Sequence, residues 1–185
     1  TNFFAIPPNY STPACQVDEF GFLADVENVG GLAAENVSLN VRIQNSATGA
    51  LVYEADQAYG TIAIDSLAEN VPFGSFTPDA TVANYVGTYS LTSDGTDTDL
   101  ANNAITFEFE VTEGLFAKEN GATRDVAPAA DASFGYGCSY YIPNEGSLAK
   151  DITFGVANAS SLPANSFITI KLLEWDGDLN EDGQA

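Results

Sequence analysis

Oxygen-bearing side chains alternate along residues 176–184 of this sequence. Within that segment the order Asp-x-Asn-x-Asp-Gly matches the first half of the D-x-[DN]-x-[DN]-G calcium loop. Hard oxygen ligands at alternate positions suit Ca²⁺, the glycine lets the loop fold back around the ion, and the next residue offers a backbone carbonyl. The pattern predicts a calcium site with a Kd on the order of 10⁻⁴ to 10⁻³ M; the alternative is a solvated acidic turn. The predicted ligands are Asp176, Asp178, Asn180, Asp182 and Gln184.

A second acidic segment, residues 93–99, lies just before Asn102 and Asn103. Asp97 and Asp99 offer carboxylates that could hold a cation. Asp and Asn more often form polar turns in such stretches, because their side chains accept hydrogen bonds from the nearby backbone. The sequence therefore favours a turn between two strands.

The absence of histidine excludes most catalytic sites. With no His in the chain, there is no Ser-His-Asp or Cys-His pair, no 2-His-1-carboxylate iron site and no HExxH zinc site. A glycosidase needs only two carboxylic acids, but it also needs an aromatic-lined cleft and an acid of raised pKa. The sequence therefore predicts that the protein is not an enzyme.

The net charge restricts the class of partner. Lys and Arg number 5 and Asp and Glu number 26, which gives a formal charge of −21. Such a chain repels phosphate backbones and anionic lipids. We therefore expect no nucleic-acid partner, and no apolar run is long enough to predict membrane insertion.

The two cysteines, Cys15 and Cys138, are too few for a zinc cluster and too distant in sequence for a CxxC redox pair. They are either two separate thiols or one long-range disulfide formed in an oxidising compartment. The sequence leaves both alternatives open.

Hydrophobic alternation predicts about seven short strands in the first 113 residues. The clearest covers 37–43, where Val, Leu, Val and Ile occupy every second position. No helical period is found, and such a series of strands is typical of an immunoglobulin-like β-sandwich. We therefore assign residues 1–113 to that fold. The other predicted strands cover 20–26, 51–53, 60–64, 71–76, 85–91 and 105–111.

Residues 114–185 are predicted to form a second β domain, with strands at 134–142, 151–156 and 167–175. Three or four strands cannot close a sandwich by themselves. This domain is therefore expected to be incomplete, with its remaining strands elsewhere in a longer protein or in a neighbouring copy. The chain starts at Thr1 and contains no Met, which also indicates a segment of a longer protein.

Aromatic residues are concentrated around Cys138. On one interpretation they form a platform for a sugar ring or a partner subunit. On the other, Phe134, Tyr136, Cys138 and Tyr140 form one apolar face of the core, and Tyr141 lies on the opposite face of the strand. The residues are Phe134, Tyr136, Tyr140 and Tyr141, with Trp175 beside the acidic loop.

The first part of the chain resembles the CARDB-like immunoglobulin domains of bacterial cell-adhesion proteins. The resemblance is carried by Asp25–Gly30 with the strand at 37–43, and by Gly87–Thr92 with Asp97–Asn103 and the strand at 105–111. It implies an extracellular β-sandwich and no catalytic residue.

The second part resembles a jelly-roll-like module that follows such domains in large secreted proteins of Bacteroidota. The matching segments are 116–121, 135–142 and 173–178. Those proteins usually end in a sorting domain read by the type IX secretion system, and we expect no such domain within residues 1–185. The resemblance implies an all-β chain, in which an immunoglobulin-like β-sandwich is followed by an incomplete jelly-roll-like β-sandwich. It does not require cysteine at positions 15 and 138.

These features predict a non-catalytic structural module of a long secreted bacterial adhesin or extracellular filament, stiffened by calcium and attached to the cell surface. The expected partners are neighbouring domains of the same chain, homo-oligomeric copies and glycans. The alternative is a carbohydrate-binding accessory module of a secreted hydrolase or protease. In a third interpretation, a strand from the next subunit completes the second domain and the chain polymerises.

Overall fold

The computed structural model describes residues 4–95, 97, 99–121, 137–155 and 167–174. The chain divides into two compact units. The first contains Thr1–Asn120 and Ile142–Glu145, and the second contains Gly121–Tyr141 and Gly146–Ala185. Among the described residues, no helix has the length and apolar character needed to cross a membrane.

Within the described residues, the first unit contains seven β-strands in two sheets. The larger sheet has the strand order β1-β7-β6-β3-β4, and the smaller sheet pairs β2 with β5. Neighbouring strands are antiparallel except for β1 and β7, which are parallel. The strands are β1 (Ser11–Pro13), β2 (Phe20–Asn28), β3 (Ala34–Asn45), β4 (Leu51–Ile62), β5 (Ser66–Phe76), β6 (Ala83–Asp94) and β7 (Ala104–Thr112).

Strand alternation builds the core between the two sheets. The four apolar residues of β3 that the sequence places on one face are all buried, with none more than 5% exposed. Since a strand directs successive side chains to opposite faces, one face of each sheet can supply the core while the other contacts water. The predicted all-β, immunoglobulin-like β-sandwich is confirmed. The buried core residues of β3 are Val37, Leu39, Val41 and Ile43.

β4 is one continuous strand where the sequence predicts two, at 51–53 and 60–64. Its inward positions include the small Ala55 and the polar Gln57, so the hydrophobic alternation is too weak to reveal the strand between the two predicted parts. The β3–β4 register shifts beside Gly60, which has a φ of 71°. A bulge of this kind lets the strand bend and continue pairing.

The described residues of the second unit carry no regular secondary structure. The strands predicted at 134–142, 151–156 and 167–175 are not formed in the described parts of those ranges. Large apolar side chains there remain exposed, with Phe154 at 51% and Phe167 at 88%. Without a covered face, the pairing of so few strands is not stabilised. The jelly-roll-like module at 114–185 stays a prediction.

Tyr89 connects the N-terminal segment to the core. It is 3% exposed, and its hydroxyl donates a 2.7 Å hydrogen bond to the carbonyl of Ala5. Burial raises the pKa of the Tyr89 phenol above its ordinary value of 10.0, as it does for Tyr53, Tyr59 and Tyr85. Because the folded state favours the neutral phenol, this stabilisation is complete below about pH 10 and is lost as the pH rises further.

We expect the free energy of unfolding, measured by urea titration, to fall as the pH rises above about 10, and to fall less in Tyr89→Phe. At neutral pH the same substitution should cost about 1 kcal/mol, because the Ala5 carbonyl loses its donor. The exposed Tyr141 provides a control, since Tyr141→Phe should change neither quantity. Identical pH profiles for the wild type and Tyr89→Phe would contradict the prediction.

Candidate functional site: the N-terminal segment and the chain exit

The N-terminal segment of the first unit crosses from one sheet to the other. Phe4 forms an isolated antiparallel bridge with Ala24 of β2, and the amide of Ala5 donates to the carbonyl of Leu23 at 2.8 Å. The chain then passes through residues 7–8, which are both proline, and joins the larger sheet as β1. Proline has no N–H and a fixed φ, which suits a crossing that takes part in neither ladder.

β1 lies between two stretches of chain from the far end of the unit. On one side it pairs in parallel with residues 110–112 of β7, and the amide of Glu110 donates to the carbonyl of Tyr10 at 2.7 Å. On the other side, Ser11 and Ala117 exchange two backbone hydrogen bonds of 3.0 Å. We refer to residues 11–13, 110–112 and 117 as the terminal patch.

The terminal patch includes two almost fully buried residues and a side-chain hydrogen bond. Ser11 is 2% exposed and Val111 is 1% exposed. The Ser11 hydroxyl donates to Glu110 Oε1 at 2.6 Å. Because Ser11 is on β1 and Glu110 is on β7, this bond joins the first and last strands in addition to their backbone ladder.

The segment Ile142–Glu145 is fastened to the chain just after β1. Gln16, which is 3% exposed, donates from Nε2 to the carbonyl of Asn144 at 2.8 Å and accepts from the Asn144 amide at 3.0 Å. Asn144 Nδ2 donates to the carbonyl of Cys15 at 2.8 Å. The Gln16 carboxamide thus binds the backbone of Asn144 as a neighbouring strand would. Sequence reasoning missed this contact, because its partners are far apart in the chain and belong to no motif.

Lys118 adds a further contact at the chain exit. Its Nζ donates to the carbonyl of Pro8 at 2.9 Å. The chain therefore leaves the sandwich at residues 117–118 and returns to it at residue 144. At both places it is hydrogen-bonded to the segment 8–16. The described entry and exit of the first unit are hydrogen-bonded to each other.

A depression of about 370 Å³ lies beside the terminal patch. Its lining includes two carboxylates, which would suit a cationic group, although the Glu110 carboxylate already accepts a hydrogen bond from Ser11. The lining residues are Tyr10, Ser46, Asn84, Tyr85, Glu108, Phe109 and Glu110.

The acidic segment between β6 and β7 forms a hydrogen-bonded turn. Asp97 accepts from the Asp99 amide and from Asn103 Nδ2, both at 2.8 Å. Asp99 in turn accepts from the Ala101 amide at 3.3 Å. The two bonds from backbone amides are those of Asx-type turns, and the bond from Asn103 joins two side chains. The turn interpretation is confirmed. In the described part of the chain, no group of three or more Asp, Glu or Cys is placed to hold a metal ion.

The predicted calcium ligands lie outside the described residues, and the calcium site stays a prediction. They are Asp176, Asp178, Asn180, Asp182 and Gln184.

Both cysteines are exposed thiols in the structure. The disulfide between Cys15 and Cys138 is one of the two alternatives that the sequence leaves open, and it stays an untested prediction. Of the aromatic residues near Cys138, Tyr140 is 38% exposed and Tyr141 is 72% exposed. The core interpretation places Tyr141 on the opposite face of the strand, so its exposure does not separate the two interpretations, and both stay predictions. Phe134, Tyr136 and Trp175 lie outside the described residues.

No family model matches this chain, and no curated protein sequence matches it. Among solved structures, the chain is similar to the CARDB domain of a protein from Pyrococcus furiosus, which was solved in complex with di-metal ions. The identity is 16%, and the match covers 60% of this chain and 86% of that chain, with a TM-score of 0.43.

Proposed function

We propose that this chain is a non-catalytic structural module of a long secreted bacterial cell-surface adhesin or extracellular filament, stiffened by calcium. The observation that carries the proposal is the hydrogen bonding of the N-terminal segment to both sheets and to residues 117, 118 and 144. These bonds fix the directions in which the chain enters and leaves the sandwich. A stiff row of modules requires such fixed directions, whereas a freely hinged module would let the row bend.

The charge of the chain supports an extracellular setting. At −21, the chain is kept soluble by self-repulsion, and this repulsion is screened over about 8 Å at physiological ionic strength. Acidic loops on neighbouring modules repel each other unless a cation lies between them. Calcium held at residues 176–184 would remove that repulsion and stiffen the row.

Calcium should stabilise the protein. In 10 mM Ca²⁺, a site with a Kd on the order of 10⁻⁴ to 10⁻³ M adds about 1.4–2.7 kcal/mol to the free energy of unfolding. The measurement is the melting temperature in calcium and in chelator, for the wild type and for Asp178→Asn. The variant Glu113→Gln removes one charge at an exposed position outside the predicted loop, and it should keep the full calcium effect. Equal melting temperatures of the wild type in calcium and in chelator would refute the site.

The function itself is tested on the native protein that contains this chain. Negative-stain images in calcium should show fibres or other ordered assemblies, and chelator should loosen them. Antibodies against the first unit should label intact cells. Dispersed particles that do not respond to chelator, together with unlabelled cells, would contradict the proposal.

The exposure of Tyr141 favours one second candidate, a carbohydrate-binding accessory module of a secreted hydrolase or protease. An exposed aromatic ring can pack against the face of a sugar, and Tyr141 is 72% exposed. A glycan array separates the two functions. Glycan binding by the wild type that is lost in Tyr141→Ala would favour the accessory module. If the wild type bound no glycan on the array, the accessory-module function would be rejected.

A further inference from the structure

We propose that the parallel pair β1–β7 is a mechanical clamp that resists tension applied between the two ends of the first unit. The inference rests on the proposed function, in which the module transmits tension along an adhesin or filament. In this proposal, the terminal patch is the part of the first unit that bears the tension.

The direction of the two strands determines how their hydrogen bonds are loaded. β1 is the first strand of the unit and β7 is the last, and they are adjacent and parallel. Tension pulls β1 toward its N-terminal end and β7 toward its C-terminal end, which are opposite directions along one axis. The evenly spaced bonds of a parallel ladder are then sheared together. Rupture requires all of them to break at once.

Burial strengthens the clamp. Ser11 and Val111 are almost inaccessible, at 2% and 1% exposure, so water cannot readily replace a bond that begins to stretch. The 2.6 Å hydrogen bond from the Ser11 hydroxyl to Glu110 is sheared along with the backbone ladder. This bond is partly buried, and a hydrogen bond that is shielded from water is stronger than one in full contact with it.

The Ala117 side of the terminal patch is loaded differently. Ser11 and Ala117 form an antiparallel bridge, and Lys118 lies at the level of Pro8. From Ala117 the chain therefore runs toward the N-terminal end of β1. Tension between the two ends of the unit then pulls the contacts of Ala117 and Lys118 apart one after another. They open before the clamp shears.

The contact between Gln16 and Asn144 opens in the same early step, because tension from the C-terminal side reaches residue 144 before it reaches residue 117. This opening precedes the main rupture.

The test is single-molecule force spectroscopy on the full chain, held by handles at its two ends. The N–H of Ser11 faces Ala117, so alternation directs the N–H of Thr12 toward β7. Thr12→Pro removes that donor. Because β1 has only three residues, one donor is a large share of its backbone bonds to β7, and the rupture force should fall by roughly a third.

Ser11→Ala is the milder variant and should lower the rupture force by less. The matched controls act on bonds outside the tension path. Ala58→Pro changes β4 at the opposite edge of the sheet, and Ser38→Ala removes a hydroxyl that contacts the Gln57 carbonyl. Both controls should leave the rupture force unchanged, whatever they do to the melting temperature.

Rupture forces of Thr12→Pro and Ser11→Ala that equal those of their controls would overturn the clamp. Gradual opening of the wild-type unit without a discrete rupture would overturn it too. If Thr12→Pro does not fold, Ser11→Ala with its control Ser38→Ala decides the question. Surface labelling tests the proposed function separately, so a chain absent from the cell surface would remove that function without altering the measured forces.

Discussion

Replacing Phe22 with alanine is expected to lower the free energy of unfolding of the first unit by about 3–5 kcal/mol. Phe22 is 1% exposed and lies where the two sheets face each other. Removal of its ring leaves a cavity that the surrounding rigid rings cannot close. The measurement is urea unfolding followed by far-ultraviolet circular dichroism. The surrounding rings are those of Phe20, Tyr53, Phe73 and Tyr89.

The matched control makes the same substitution at an exposed phenylalanine. Phe167 is 88% exposed, so Phe167→Ala should change the free energy of unfolding by no more than about 0.5 kcal/mol. If Phe22→Ala cost as little as this control, Phe22 would not be at the centre of the core.

Gly74→Ala is expected to cost about 2–5 kcal/mol, from two separate causes. Gly74 has a φ of 67°, a left-handed conformation that disfavours any side chain. In addition, a Cβ at this position would overlap the hydroxyl of Tyr53 and lie 3.3 Å from the Cβ of Ala55. Because Tyr53 packs on Phe22 at a ring-centroid distance of 5.2 Å, its movement would disturb the core.

Two further variants separate the strain from the overlap. Gly49 has a φ of 71°, but a Cβ there would meet nothing within 4 Å. Gly49→Ala should therefore cost only the backbone strain, about 1–2 kcal/mol. In a Tyr53→Phe background, Gly74→Ala should cost less than in the wild type, because the overlapping hydroxyl is gone. Equal costs in both backgrounds would mean that overlap with the Tyr53 hydroxyl contributes nothing to the cost of Gly74→Ala.

Strands with regular hydrophobic alternation were predictable from the sequence. β3 and β7 were found because each alternates large apolar residues with polar ones, and this pattern records which face is buried. β1 left no such signal. It has three residues and includes a proline, and it is a strand only because β7 and Ala117 offer it partners.

Predictability of the sites followed the same division between local and distant interactions. The turn at Asp97 was predictable because its partners are within a few residues along the chain. The contact between Gln16 and Asn144 was not, because a glutamine becomes a binding group only when the fold buries it against a distant backbone. The calcium loop at 176–184 depends on a local pattern, and it stays a prediction.

The pairing of β1 with β7 also determines the order in which the unit can be completed. β1 is synthesised first, yet Glu110 lies 99 residues further along the chain and Asn144 lies 128 residues beyond Gln16. Contacts of such long sequence separation form slowly. Synthesis from the N-terminus therefore leaves β1 without a partner until β7 follows. The topology delays completion of the fold until residues 110–112 and 144 are available to residues 11–16.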